Sequence, residues 1–90
     1  MKILIVEDDT YTREGLAEIL RREGFEPILA ADGNQGMEAF SAETPALICL
    51  DVMMPGKSGF DLCRDIRKAN AQVPIIFITA KSEEIDTVVG

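Results

Sequence analysis

Histidine is absent from this 90-residue chain, and with it go imidazole-based triads and most zinc sites. Cysteine is scarce. Cys49 and Cys63 are the two present, and no CxxC spacing joins them. A stapled secreted scaffold of this size would carry more, so the two read as core filler in a reducing, cytosolic compartment. No apolar run approaches the roughly 18 residues that a membrane span needs. Met1-Lys2 passes straight into a short apolar run, Ile3 to Val6, broken by three acids, which is not the pattern of a signal peptide. Positive charge is in short supply as well. Nine Lys and Arg face 16 Asp and Glu, giving a formal net charge of -7. Such a surface repels phosphate backbones, so nucleic-acid binding by this segment is not expected.

What is present suits one small soluble domain: 47% hydrophobic residues and 28% charged ones, with no internal repeat, linker or low-complexity segment. Lys2 to Val6 is a continuous apolar run of the parallel-strand kind, ending in Glu7-Asp8-Asp9. Asp9 or Thr10 can cap a helix whose apolar positions Leu16, Ile19 and Leu20 recur at helical spacing, with Gly24 as its stop. Glu26 to Ala30 reads as a second strand. Asp32-Gly33 turns into a short helix with Met37 and Phe40 on its apolar side. After Pro45 comes a third strand, Ala46 to Leu50, which stops on Asp51. Ser58 and Asp61 have capping-box spacing and open a helix that buries Phe60, Cys63 and Ile66 and runs to about Ala69. Pro74 to Thr79 is a fourth apolar strand, and Ser82 with Glu83 and Glu84 starts a fourth helix that has barely begun at Gly90.

Strands alternating with helices predict a parallel sheet with right-handed crossovers and helices on both faces. The polar strand ends Glu7-Asp8, Asp51 and Thr79 then share one rim, the rim where open α/β sheets bind ligands. Carboxylates gathered there repel one another unless a cation neutralises them, and oxygen-only donors favour Mg²⁺ or a similar hard ion. Mg²⁺ keeps room for a phosphate oxygen, so such a site can hold a phosphoryl donor against Asp51, and Asp51 can form an aspartyl phosphate. Thr79 would offer its hydroxyl to a phosphate oxygen. The plainer reading of Glu7, Asp8 and Asp9 is complementing a helix dipole while staying solvated.

Val6-Glu7-Asp8-Asp9, Leu50-Asp51-Val52-Met53-Met54-Pro55-Gly56, Gly59 and Ile78-Thr79-Ala80 resemble the response-regulator receiver domain of two-component signalling, in order and in spacing along the whole chain. The resemblance implies a flavodoxin-like open parallel sheet of order 2-1-3-4. It implies that Asp51 is the phospho-acceptor and that Glu7 and Asp8 are the acidic metal pair, Asp8 binding directly and Glu7 through water. The main-chain carbonyl of Met53 is then the third protein ligand, Asp9 lies outside the metal site, and Thr79 is the switch hydroxyl. Met53 and Lys81 take positions that tune how long the phosphate persists.

It further implies a histidine kinase or phosphotransfer protein as donor, an output domain or partner absent from this chain, and a cytoplasmic location. The domain is a catalyst only of its own phosphorylation and dephosphorylation, not an enzyme in the turnover sense. Family members continue through a fifth strand carrying a lysine and a fifth helix, so residues 1–90 are expected to be an incomplete receiver domain ending within helix four. Neither Lys57 nor Lys81 matches that lysine. An apolar strand edge and a sheet face short of a helix lead to the expectation of self-association or element swapping.

Three rival readings fit parts of the sequence. Gly56-Lys57-Ser58 mimics the end of a phosphate-binding P-loop, but that motif needs glycine where Asp51 stands. Aspartate-nucleophile phosphatases want a second acid two residues on, where Met53 stands. The strongest competitor is a receiver-shaped interaction module that is never phosphorylated, and the intact set of Glu7, Asp8, Asp51 and Thr79 argues against it.

Overall fold

The computed structural model describes residues 1–54 and 56–78; Thr79, Lys81 and the helix expected from Ser82 lie outside them. Four strands, β1 (Lys2–Val6), β2 (Glu26–Ala30), β3 (Leu47–Asp51) and β4 (Ile75–Ile78), form one parallel sheet in the order β2-β1-β3-β4. Three helices connect them: α1 (Thr10–Arg22), α2 (Gly33–Glu43) and α3 (Gly59–Ala69). The strand order is the one the resemblance implied.

Each helix starts where a short polar side chain can satisfy its free N–H groups. Asp9 caps α1, its Oδ2 accepting from Thr12 N and Thr12 Oγ1, both at 2.8 Å. Asp32 caps α2 by accepting from Gln35 N. Ser58 and Asp61 form the reciprocal capping box at the start of α3. α1 ends at Gly24, whose φ of 88° is a left-handed turn that a side chain would oppose.

Strand alternation splits the apolar residues between two faces. Leu4, Val6, Ile48, Leu50, Ile75 and Phe77 pack with Phe40 of α2 and with Leu62 and Ile66 of α3 into the main core. Full burial of side chains this size contributes roughly 2 kcal/mol each, which offsets the strain of gathering acids at the rim. Ile3 and Ile5 turn to the opposite face, where α1 lies over β1 and β2 and buries Ala17. On that face Leu47, Cys49, Ile76 and Ile78 are half-buried.

Two helical positions differ from expectation. Ile19 is 57% exposed, and it is Ala17 that α1 buries: the half-covered face asks for a narrow apolar stripe, and Ile19 lies outside it. Phe60 is 54% exposed, while Leu62 takes the buried place expected for it. Its ring rests against Phe77 at 4.9 Å between centroids, at the margin of the core. The cysteines are free, as expected, and strand alternation separates them: Cys63 packs on the main core, while Cys49 faces the opposite way from Ile48 and Leu50. Burial pushes the Cys49 thiol up, which keeps it protonated and inert.

Candidate metal centre at the strand ends

The register of the sheet assembles the site. Val6 pairs with Leu50 across β1 and β3, so the residues that follow, Glu7 and Asp51, come level at one rim. The Glu7 N–H donates to Ala30 O at 3.0 Å, which extends the β1–β2 ladder and fixes where the acidic turn begins. Carboxylate oxygens of Glu7, Asp8 and Asp51 lie within 4.8 Å of one another. Glu7 and Asp51 are buried at 2% and 3% exposure, while Asp8 is exposed and opens the site to solvent.

Glu7 Oε2 accepts from the Asp9 N–H at 3.0 Å, whereas Glu7 Oε1 is buried with no hydrogen-bond partner among the described residues. A buried carboxylate oxygen left this way costs free energy unless a proton or a cation satisfies it. Burial is the main reason that the Glu7 carboxyl is pushed up to about 7, with neighbouring Asp51 and Asp8 adding to the rise. Asp51 is raised by burial too, opposed by the neighbouring Glu7 carboxyl and by the Met53 N–H, which lies 3.3 Å from Asp51 Oδ1. Three carboxylates, an orphaned oxygen and no nitrogen or sulfur donor fit a hard divalent cation. Asp9 is spent on capping α1, and the clustered carboxylates among the described residues are those of Glu7, Asp8 and Asp51.

Two elements hold Asp51 in place. The Gly59 N–H donates to Val52 O at 3.1 Å, drawing the start of α3 against the end of β3. A Cβ at Gly59 would sit 2.2 Å from Asp51 O, so only glycine allows this approach. Lys57 bends away from the acids: its stem lies against Gly33 and its Nζ pairs with Asp65. Sequence reasoning missed Arg13, whose Nη1 lies 2.8 Å from Glu7 O and 3.4 Å from Asp8 O. Nothing in the sequence marked it, since its partners are main-chain carbonyls rather than a complementary side chain.

A family model described as response regulator receiver domain matches residues 3–90. The chain belongs to this family. Its relatives include the DNA-binding response regulator MtrA of Mycobacterium tuberculosis, 43% identical over 89 residues, a match covering 99% of this chain and 39% of MtrA. The transcriptional regulatory protein AfsQ1 of Streptomyces coelicolor is 44% identical over 98% of this chain and 39% of its own length. The chain thus spans about two fifths of the curated relatives it matches. Among solved structures, the response regulator TrrA of Thermotoga maritima, in complex with Mg²⁺-BeF, superposes with a TM-score of 0.85 at 38% identity, covering 90% of this chain and 70% of that one. A receiver domain is a regulatory unit, not an enzyme in the turnover sense, and its acidic group is of a kind that can hold a metal ion.

Proposed function

We propose that this receiver domain accepts a phosphoryl group on Asp51 from a histidine kinase or phosphotransfer protein, with Mg²⁺ held by Glu7, Asp8, Asp51 and the Met53 carbonyl. The convergence of the three carboxylates around a buried, unpartnered Glu7 oxygen carries this reading. A hard divalent ion at that place supplies positive charge to the acids and to the phosphoryl oxygens. Asp51 then uses a carboxylate oxygen to attack phosphorus. A P–O bond forms as the P–N bond to the donor imidazole breaks, and the electron pair of that bond returns to the imidazole nitrogen. Asp8, exposed, is the acid open to an incoming donor, while Glu7 is buried. Thr79, next after β4, is assigned the hydroxyl that bonds the transferred group, and Met53 and Lys81 the positions that set its lifetime.

The phosphorylated domain, spanning residues 1–90, would present a changed surface to an output domain or partner in the cytoplasm. The names of the DNA-binding relatives support a transcriptional output, with the DNA contact made by another domain because this segment carries net negative charge. No described helix is long and apolar enough to cross a membrane. Self-association through the half-buried strip of Leu47, Cys49, Ile76 and Ile78 belongs to the same proposal, and a monomeric mass at high concentration would remove it.

The deciding experiment is incubation with acetyl phosphate and Mg²⁺, read by intact mass. The expected result is a gain of one phosphoryl group that disappears in Asp51→Asn and without divalent ion. No gain in the native protein, with Mg²⁺ shown to bind, would favour the unphosphorylated interaction module instead.

A further inference from the structure

Arg13 stands among three acids, Glu7, Asp8 and Asp9, yet among the described residues it forms no ion pair with any carboxylate. Its guanidinium goes to the main chain instead, donating from Nη1 to Glu7 O at 2.8 Å and reaching Asp8 O at 3.4 Å. An arginine free to swing would be drawn by Coulomb attraction to a carboxylate oxygen rather than to a neutral carbonyl. α1 prevents this. Arg13 N donates to Asp9 O in the first helical hydrogen bond, and the Asp9 side chain is held by Thr12, so the side chain of Arg13 leaves the helix directly behind the turn. The carboxylates of Glu7 and Asp8 are thereby left unpaired with Arg13.

We propose that Arg13 is a positioning residue for the metal centre, its guanidinium clamping the carbonyls of Glu7 and Asp8 so that both carboxylates already converge on Asp51 before an ion arrives. The inference rests on the metal-binding reading of the site given above. It differs from a purely electrostatic role in sign. A positive charge near a cation site repels the cation, so on Coulomb's law alone the neutral variant R13Q should bind Mg²⁺ more tightly. A clamp predicts the reverse, because without it the turn must be ordered at the moment of binding. Residues that orient metal ligands without touching the metal typically cost roughly ten- to hundredfold in affinity when removed.

The test titrates the native protein, R13Q, R13K and D8N with MgCl₂ by calorimetry, with thermal melts in EDTA to follow folding separately. Expected are at least about tenfold weaker Mg²⁺ binding by R13Q, with a melt in EDTA close to native, and an intermediate affinity for R13K, whose single ammonium can reach one carbonyl. Native or tighter binding by R13Q, while the native protein binds and D8N does not, would overturn the clamp and leave the metal site standing. If R13Q fails to fold, R13K decides alone: weaker binding than native supports the clamp and equal binding overturns it. If the native protein binds no Mg²⁺, or D8N binds as well as native, the reading of the site falls and the clamp falls with it.

Discussion

In the turn between β1 and α1, side chains do the holding: Arg13 grips two carbonyls, Glu7 accepts from the Asp9 N–H, and Asp9 accepts from Thr12. In the loop between β3 and α3, where side chains serve the Ser58–Asp61 cap farther on, the backbone holds the Asp51 end: the Gly59 N–H meets Val52 O, and the start of α3 comes so near Asp51 that no Cβ fits. Both segments deliver carboxylates to the same few ångströms. The first needs polar chemistry, because Asp8 is exposed and its turn can be strapped only from the solvent side. The second needs closeness, because Asp51 is buried and must not move when its charge changes. The difference teaches where each half of the site is fragile: one to loss of a donor, the other to gain of a methyl group.

The comparison is broken most severely by volume. Gly59→Ala forces α3 away from Asp51 O and should cost about 3 kcal/mol or more, as overpacking against fixed backbone does. Urea unfolding reads this, and a loss under 1 kcal/mol would show that closeness is not what holds the loop. Proton concentration comes next. Burial raises Glu7 from 4.5 to about 7, so the folded state holds this proton more tightly than the unfolded chain does. Its contribution to stability is therefore complete below 4.5 and lost as pH rises toward 7. In EDTA, the unfolding free energy should fall by on the order of 2 to 3 kcal/mol across that window on this account. Glu7→Gln should flatten the slope, and saturating Mg²⁺ should restore stability at the alkaline end. A slope unchanged in Glu7→Gln would move the effect to another group. The smallest effect is expected from Lys57→Ala, which removes a part-exposed ion pair with Asp65 and should cost about 0.5 kcal/mol. A loss several times larger would mean that side chains hold the second loop as well.

Much of this was legible because β1 and β3 are apolar runs that lead straight to an acid, Glu7 and Asp51. β1 and β2 lie where the runs of Lys2 to Val6 and Glu26 to Ala30 put them, and Ser58 with Asp61 announces α3. Helix faces were harder to read. Ile19 and Phe60 have the chemistry of core residues, but which side of a helix is buried depends on the sheet face beneath it, and that is a property of the assembly. At the site, the carboxylates were readable from their places at strand ends, and the resemblance supplied the strand order that makes β1 and β3 neighbours. Arg13 was not, since a side chain that bonds main-chain carbonyls leaves no complementary residue type to pair it with in the sequence. The close approach at Gly59 was hidden for a similar reason: a glycine fits a loop for many causes, and only the distance to Asp51 O says which one applies.

One further consequence follows from β1 lying between β2 and β3 in the sheet. Asp8 follows β1 and Asp51 ends β3, strands whose pairing closes a long stretch of chain that includes all of α1, β2 and α2, so their meeting is a non-local event in folding. On the metal-binding reading proposed above, a luminescent trivalent ion that tolerates oxygen-only ligands would be captured only once β3 docks beside β1. The acidic rim would in this way act as a stopwatch for the step that completes the sheet's centre.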